Sequence, residues 1–206
     1  MTTNTPLITV SFGGEPVELP WATPKKKWSV GNACIEHVLH EGLFMPLIES
    51  PQLPALRAVW RRQLALAVNT PPDTQELSMA FHTQWHVCHH RLRELVDDDR
   101  LLLDLAAAWL PRYEGPGLEL YRGENIDRFE VGRIGSAWSN KLATAELFAR
   151  AQNNAGRGGV VLRAAVPAPA IIAGPSAHSL RMDESEFTVD TRKLEAVALL
   201  TRFPAG

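Results

Sequence analysis

Two carboxylates, Glu184 and Glu186, stand immediately before the strand-like run Phe187-Thr188-Val189. Period two along an extended segment would put both on one side. A carboxylate pair there suits a cation such as a guanidinium. Earlier in the chain, Arg122 ends the alternating run Leu118-Glu119-Leu120-Tyr121-Arg122. Its rigid fork suits bidentate binding of an anion. Between them, Gly135-Ser136-Ala137-Trp138-Ser139 runs into Thr144-Ala145-Glu146-Leu147-Phe148-Ala149. That places a serine hydroxyl where a strand gives way to a helix. Each residue also has a plainer reading. Arg122 is then a surface arginine at a strand end, and Ser136 a strand-edge serine. Trp138 becomes core, and the glutamates part of a solvated acidic loop with Asp183 and Asp190.

A second group is rich in histidine. His82, His86 and His89 fall at i, i+4 and i+7, with Cys88 and His90 close by and His37 and His40 upstream. Imidazoles one helical turn apart can chelate zinc, but no companion cysteine or carboxylate follows a zinc spacing. A polar helix face or an interdomain contact is the better account, and no metal is assigned.

The elements that must position these groups divide the chain. Leu7-Ile8-Thr9-Val10-Ser11-Phe12, the turn dipeptide Gly13-Gly14 and Pro16-Val17-Glu18-Leu19 predict a short hairpin. Residues 31–110 read as helical. Asn32 caps a first helix carrying Ile35, Val38 and Leu39, and Pro46, Pro51 and Pro54 break the next stretch. Helical spacing resumes over 55–68. Asp73 before Glu76 resembles a capping box for a helix running to Val96, and Asp97, Asp98 or Asp99 caps a last helix over 101–109. After Pro111 the pattern turns to strands: 118–122, 160–166, 171–173, 187–189 and 194–203. A short helix lies at 143–150, and polar loops at 153–159 and 174–183. The expected organisation is a mainly helical region 1–111 followed by a sheet-containing domain 112–206.

Bulk properties bound the function classes. The chain has 206 residues and a net charge of −2, so no global field draws it to nucleic acid or an anionic membrane. Lys25-Lys26-Lys27 and Arg61-Arg62 read as solvated surface. Two cysteines, Cys34 and Cys88, are too few for a disulfide scaffold and fit a reducing compartment. Neither a bilayer-spanning apolar run nor a signal peptide over 1–20 is evident. The expected localisation is cytoplasmic, with delivery elsewhere open to a chain that lacks a cleaved signal.

An arginine on a strand, a serine on a strand leading into a helix and a glutamate opening a late strand occur here in fixed order. In this the C-terminal half resembles the ADP-ribosyltransferases of the arginine–serine–glutamate class. The resemblance implies an α+β fold with a mixed sheet sandwich, and NAD as the substrate cleaved. Arg122 would then clamp the dinucleotide, with Gly123, Ser136 and Trp138 beside it. Ser139 would orient the catalytic Glu186, which bonds the 2′-hydroxyl of the nicotinamide ribose and stabilises the oxocarbenium ion. Glu184 would engage the acceptor. The class's central motif usually leads with a hydroxyl, which is absent at Ala137. Either Ser139 carries the role, or a register shift gives it to Ser136, or the motif has decayed.

The activity so implied is transfer of ADP-ribose from NAD to a macromolecular acceptor, most plausibly an arginine side chain of a protein, with nucleic acid still open. A toxin or effector of this kind would pair with an antitoxin or immunity protein, and no membrane is involved. The rival activities are an NAD glycohydrolase, a catalytically dead interaction module and a metal-stabilised helical binding protein.

Overall fold

A computed structural model describes residues 7–10, 17–20, 53–151 and 155–206. The helix expected from Asn32, together with Cys34, His37, His40 and the lysine run, lies outside the described residues. The chain divides into two compact units, Met1–Trp109 and Leu110–Gly206. The break falls just ahead of the boundary expected at Pro111.

In the first unit, β1 (Leu7–Val10) and β2 (Val17–Pro20) pair antiparallel, with Leu7 opposite Pro20. Three helices follow: α1 (Leu53–Val68), α2 (Gln75–Val96) and α3 (Asp99–Trp109). Their apolar residues recur at helical spacing and are buried: Trp60, Leu64 and Ala67 on α1; Leu77, Phe81, Trp85, Cys88 and Leu92 on α2; Leu102, Leu105, Ala106 and Trp109 on α3. Each large buried side chain contributes about 1.5–3 kcal/mol.

Thr74, not Asp73, caps α2, because its hydroxyl accepts the Leu77 N–H. Asp98 accepts the Leu101 N–H at the start of α3. Arg61 is not simply solvated. It donates through Nε to the Val96 carbonyl at 2.6 Å, while Arg57 reaches the Leu95 carbonyl at 2.8 Å. Those carbonyls end α2, lack helical partners and carry the negative pole of the helix dipole, so two cations stabilise them.

The second unit is built on one six-stranded sheet. Its strands are β3 (Leu118–Asn125), β4 (Ala137–Ser139), β5 (Gly159–Val166), β6 (Ile171–Ala173), β7 (Glu186–Val189) and β8 (Ala198–Phe203). They lie in the order β6-β7-β4-β3-β5-β8. Among the described residues every pair in this sheet is antiparallel. The expected α+β class is therefore observed, with a single antiparallel sheet where a mixed sandwich was expected. Leu120, Trp138, Leu162, Phe187 and Val189 form one buried cluster.

Helices α4 (Ile126–Glu130), α5 (Leu142–Arg150) and α6 (Ala177–Arg181) fill the connections. Neither α4 nor α6 was expected; the stretch holding α6 reads as a polar loop. Each is one turn long, too short for apolar periodicity to register. Side-chain caps make them instead: Asn125 Oδ1 accepts from Asp127 and Arg128 N–H, and Ser176 Oγ from Ser179 N–H. Among the described residues no helix is long and apolar enough to cross a membrane.

Gly123 fixes how closely α5 approaches β3. A Cβ added there would lie 2.4 Å from the Ala145 carbonyl oxygen and 2.5 Å from the Ala149 nitrogen. Both are helix backbone atoms and cannot swing aside. Gly123→Ala is expected to destabilise this unit by about 1–3 kcal/mol, as overpacking does. Urea unfolding followed by circular dichroism measures it; an unchanged midpoint would mean that α5 is free to shift.

Candidate functional site

The three strands that carry the singled-out residues are neighbours, with β4 between β3 and β7. Ser139 lies opposite Tyr121 on one side and opposite Glu186 on the other. Directly paired residues project to the same face. Tyr121, Ser139 and Glu186 therefore share a face. Glu186 opens β7 and is only 9% exposed.

Arg122 is one position further along β3. Alternation puts it on the other face, with Leu120 and Glu124, and its cross-strand partner is Leu162 of the apolar cluster. The structure thus brings Ser139 and Glu186 together and places the Arg122 side chain behind them. Arg122 donates through Nε to Glu124 at 2.9 Å and through a terminal nitrogen to the Ala137 carbonyl at 2.5 Å. Glu124 is fully buried. It also accepts the N–H groups of Gly135 at 2.8 Å and Asn125 at 3.0 Å. This network ties β3 to the segment that enters β4. Burying two charges is tolerable here because the carboxylate has donors on both oxygens.

Glu124 was missed in the sequence. A signal existed, since Arg122 and Glu124 are opposite charges two apart on one strand and so share a face. That spacing reads equally as solvent-facing alternation, and only burial distinguishes the two.

The remaining candidates occupy different surroundings. Trp138 is 1% exposed, belongs to the apolar cluster and donates its Nε1–H to the Gly135 carbonyl. Gly123 faces the backbone of α5. Ser136 is half-buried, and its carbonyl accepts the Val189 N–H at 2.8 Å, prolonging the β4–β7 pairing.

Ser139 Oγ donates to the Glu184 carbonyl at 2.6 Å and accepts the Lys141 N–H at 3.0 Å. A hydroxyl has one proton to give. In this arrangement Ser139 holds the backbone of the glutamate segment rather than donating to the Glu186 carboxylate.

The expectation that Glu184 and Glu186 project to one side through simple alternation does not hold. The strand begins at Glu186, and Ser185 has φ 47°, with Asp183 at φ 59°. These left-handed conformations turn the chain sharply around Glu184, which is half-buried while Glu186 is buried. Non-glycine residues in this region cost about 1–3 kcal/mol each and persist only where their surroundings fix them. Here Lys141 Nζ donates to the Asp183 carbonyl at 3.1 Å and pairs with its carboxylate, while Glu184 N–H donates to the Ser179 carbonyl at 3.0 Å.

At the far end of β7, Asp190 is buried. Burial opposes its charge, but hydrogen bonds from Arg192, with Lys193 nearby, hold its carboxyl below the usual value.

The histidines of α2 belong to the first unit. His82 and His86 are buried, and His89 Nδ1 lies 3.1 Å from the Trp85 carbonyl with its ring stacked on Trp85. Among the described residues no group of three or more His, Cys, Asp or Glu side chains is arranged to hold a metal ion. Burial pushes the Cys88 thiol up, away from the reactive thiolate form.

No family model matches this chain, and no curated protein or solved structure matches it at a significant level.

Proposed function

We propose that the second unit cleaves NAD and transfers its ADP-ribose to a macromolecular acceptor, with an arginine side chain of a protein as the favoured nucleophile. The observation that carries this reading is the cross-strand pair of Ser139 and Glu186, beside β3 and its Arg122, in an order that resembles the arginine–serine–glutamate transferases.

In the reaction, the bond between the ribose C1′ and the nicotinamide nitrogen breaks, and its electron pair leaves with nicotinamide. Positive charge develops on the ribose. The Glu186 carboxylate, fixed at the head of β7, faces that charge and accepts the 2′-hydroxyl hydrogen bond. Preorganised negative charge lowers the barrier because little reorients as the cation forms. The acceptor guanidinium attacks C1′, and Glu184 takes the proton it sheds. Arg122, whose side chain lies on the opposite face of the sheet, acts by holding β4 in register through Glu124 and the Ala137 carbonyl rather than as the dinucleotide clamp. A cytoplasmic enzyme of this kind would act as a toxin or effector and call for an antitoxin or immunity protein.

The direct test is incubation with adenylate-labelled NAD and a cell lysate, followed by identification of the labelled molecule and residue. Absence of both labelled acceptor and free ADP-ribose would refute the reading.

Glu184→Ala separates transfer from hydrolysis. Water needs less positioning than a guanidinium, so NAD hydrolysis should survive. A charge-assisted hydrogen bond is worth about 1.5–3 kcal/mol, so transfer should fall by about tenfold or more. The readout is the ratio of labelled acceptor to free ADP-ribose. Parallel loss of both products would assign Glu184 to NAD or to folding, and no change would leave it a solvated loop carboxylate.

A further inference from the structure

The Glu184-Ser185-Glu186 segment is held by two buried serines from opposite sides. Ser139, on β4, donates to the Glu184 carbonyl. Ser179, on α6, does the rest: its Oγ accepts the Glu186 N–H at 2.7 Å, and its carbonyl accepts the Glu184 N–H at 3.0 Å. Ser179 is fully buried, and its own N–H donates to the Ser176 Oγ at 3.0 Å. Ser176 is itself buried and caps α6. One residue thus receives the amides of both glutamates and is anchored in turn by a capped helical turn.

We infer that Ser179 is a positioning residue for the two carboxylates, resting on the role proposed above for Glu186. The left-handed Ser185 lets the chain place a half-buried Glu184 next to a buried Glu186. That conformation is unfavourable alone and needs bonds on each side to persist. The Ser179 hydroxyl sets where β7 starts, and therefore where the Glu186 side chain leaves the backbone. Because it touches no reacting atom, its loss should misplace Glu186 while leaving the other groups that bind NAD in place. An error of about 1 Å in a reacting group can cost as much as 10²-fold in rate.

The test compares Ser179→Ala and Ser179→Cys with the unaltered full chain. Alanine removes the acceptor for the Glu186 amide but leaves the backbone carbonyl that receives the Glu184 amide. Cysteine keeps the shape with a weak acceptor. Amide exchange by NMR is expected to quicken at Glu186 by about tenfold in the alanine variant, the equivalent of one lost hydrogen bond. Exchange at Glu184 should stay near its original rate. In NAD turnover, kcat should drop by about tenfold with KM little changed, the pattern of an interaction felt in the transition state. The cysteine variant should fall between, and it carries both measurements if the alanine variant fails to fold.

Unchanged exchange at Glu186 would overturn the inference. So would faster exchange with unaltered kcat, or a rise in KM alone. If the unaltered protein turns over no NAD, the proposed function fails, and exchange alone then decides whether Ser179 holds the segment.

Discussion

Glu186→Gln is expected to lower NAD cleavage by about 10²–10³-fold, the usual cost of removing one preorganised group that faces developing charge. Glutamine keeps the shape of the side chain and removes its charge. The backbone bonds that place this residue are independent of the carboxylate: its N–H donates to Ser179 Oγ, and its strand partner is Ser139. The fold should therefore persist, with an unaltered circular dichroism spectrum and a thermal midpoint close to that of the parent. Released nicotinamide, measured by chromatography under saturating NAD, gives kcat. Activity within a few-fold of the parent would remove Glu186 from the reaction. A large loss accompanied by unfolding would leave the residue structural, so the two measurements belong together.

Glu124→Ala should have the largest effect on stability. The Glu124 carboxylate is fully buried and receives the Arg122 guanidinium and the N–H groups of Gly135 and Asn125. Removing it leaves a guanidinium that is nearly inaccessible to water without that counter-charge, together with two amides that lose their acceptor. Breaking a buried ion pair from one side typically costs about 3–5 kcal/mol. For a unit of this size that lowers the thermal midpoint by more than about 10 °C. Replacing both partners, with Arg122→Met and Glu124→Leu, removes the isolated charge and should cost much less than the single change. Urea unfolding of the parent, Arg122→Met, Glu124→Leu and the double closes the cycle, with Glu124→Ala measured beside it. Additive losses would mean that the two side chains do not stabilise one another. A loss below about 1 kcal/mol for Glu124→Ala would place the carboxylate in water, as for an exposed pair.

The sequence by itself determined the type of the longer described helices and of the strands, but not of the one-turn helices α4 and α6. Helical spacing of Trp60, Leu64 and Ala67, and of Phe81, Trp85, Cys88 and Leu92, follows from a repeat of 3.6 residues burying one stripe. The strand at 160–166 was legible because a short, nearly continuous apolar run is bounded by a glycine-rich loop and by Pro167. Arg122, Ser139 and Glu186 could be singled out by residue type and order. Their relative directions could not. Facing is set by strand register, which depends on partners distant in the chain: Tyr121 opposite Ser139, Ser139 opposite Glu186 and Arg122 opposite Leu162. A shift of one residue would reverse every side chain.

Only the tertiary structure decided that Glu124 is a buried partner rather than a solvated strand residue, because the two readings share one sequence pattern and differ in burial. It alone brought Ser179 to Glu184 and Glu186, through the one-turn helix α6. That turn is made by the Ser176 cap rather than by apolar periodicity. The left-handed backbone at Asp183 and Ser185 was equally illegible, since neither residue is a glycine. Its cost is offset by hydrogen bonds to Lys141, Ser139 and Ser179, and those contacts exist only once β4, α6 and β7 have come together.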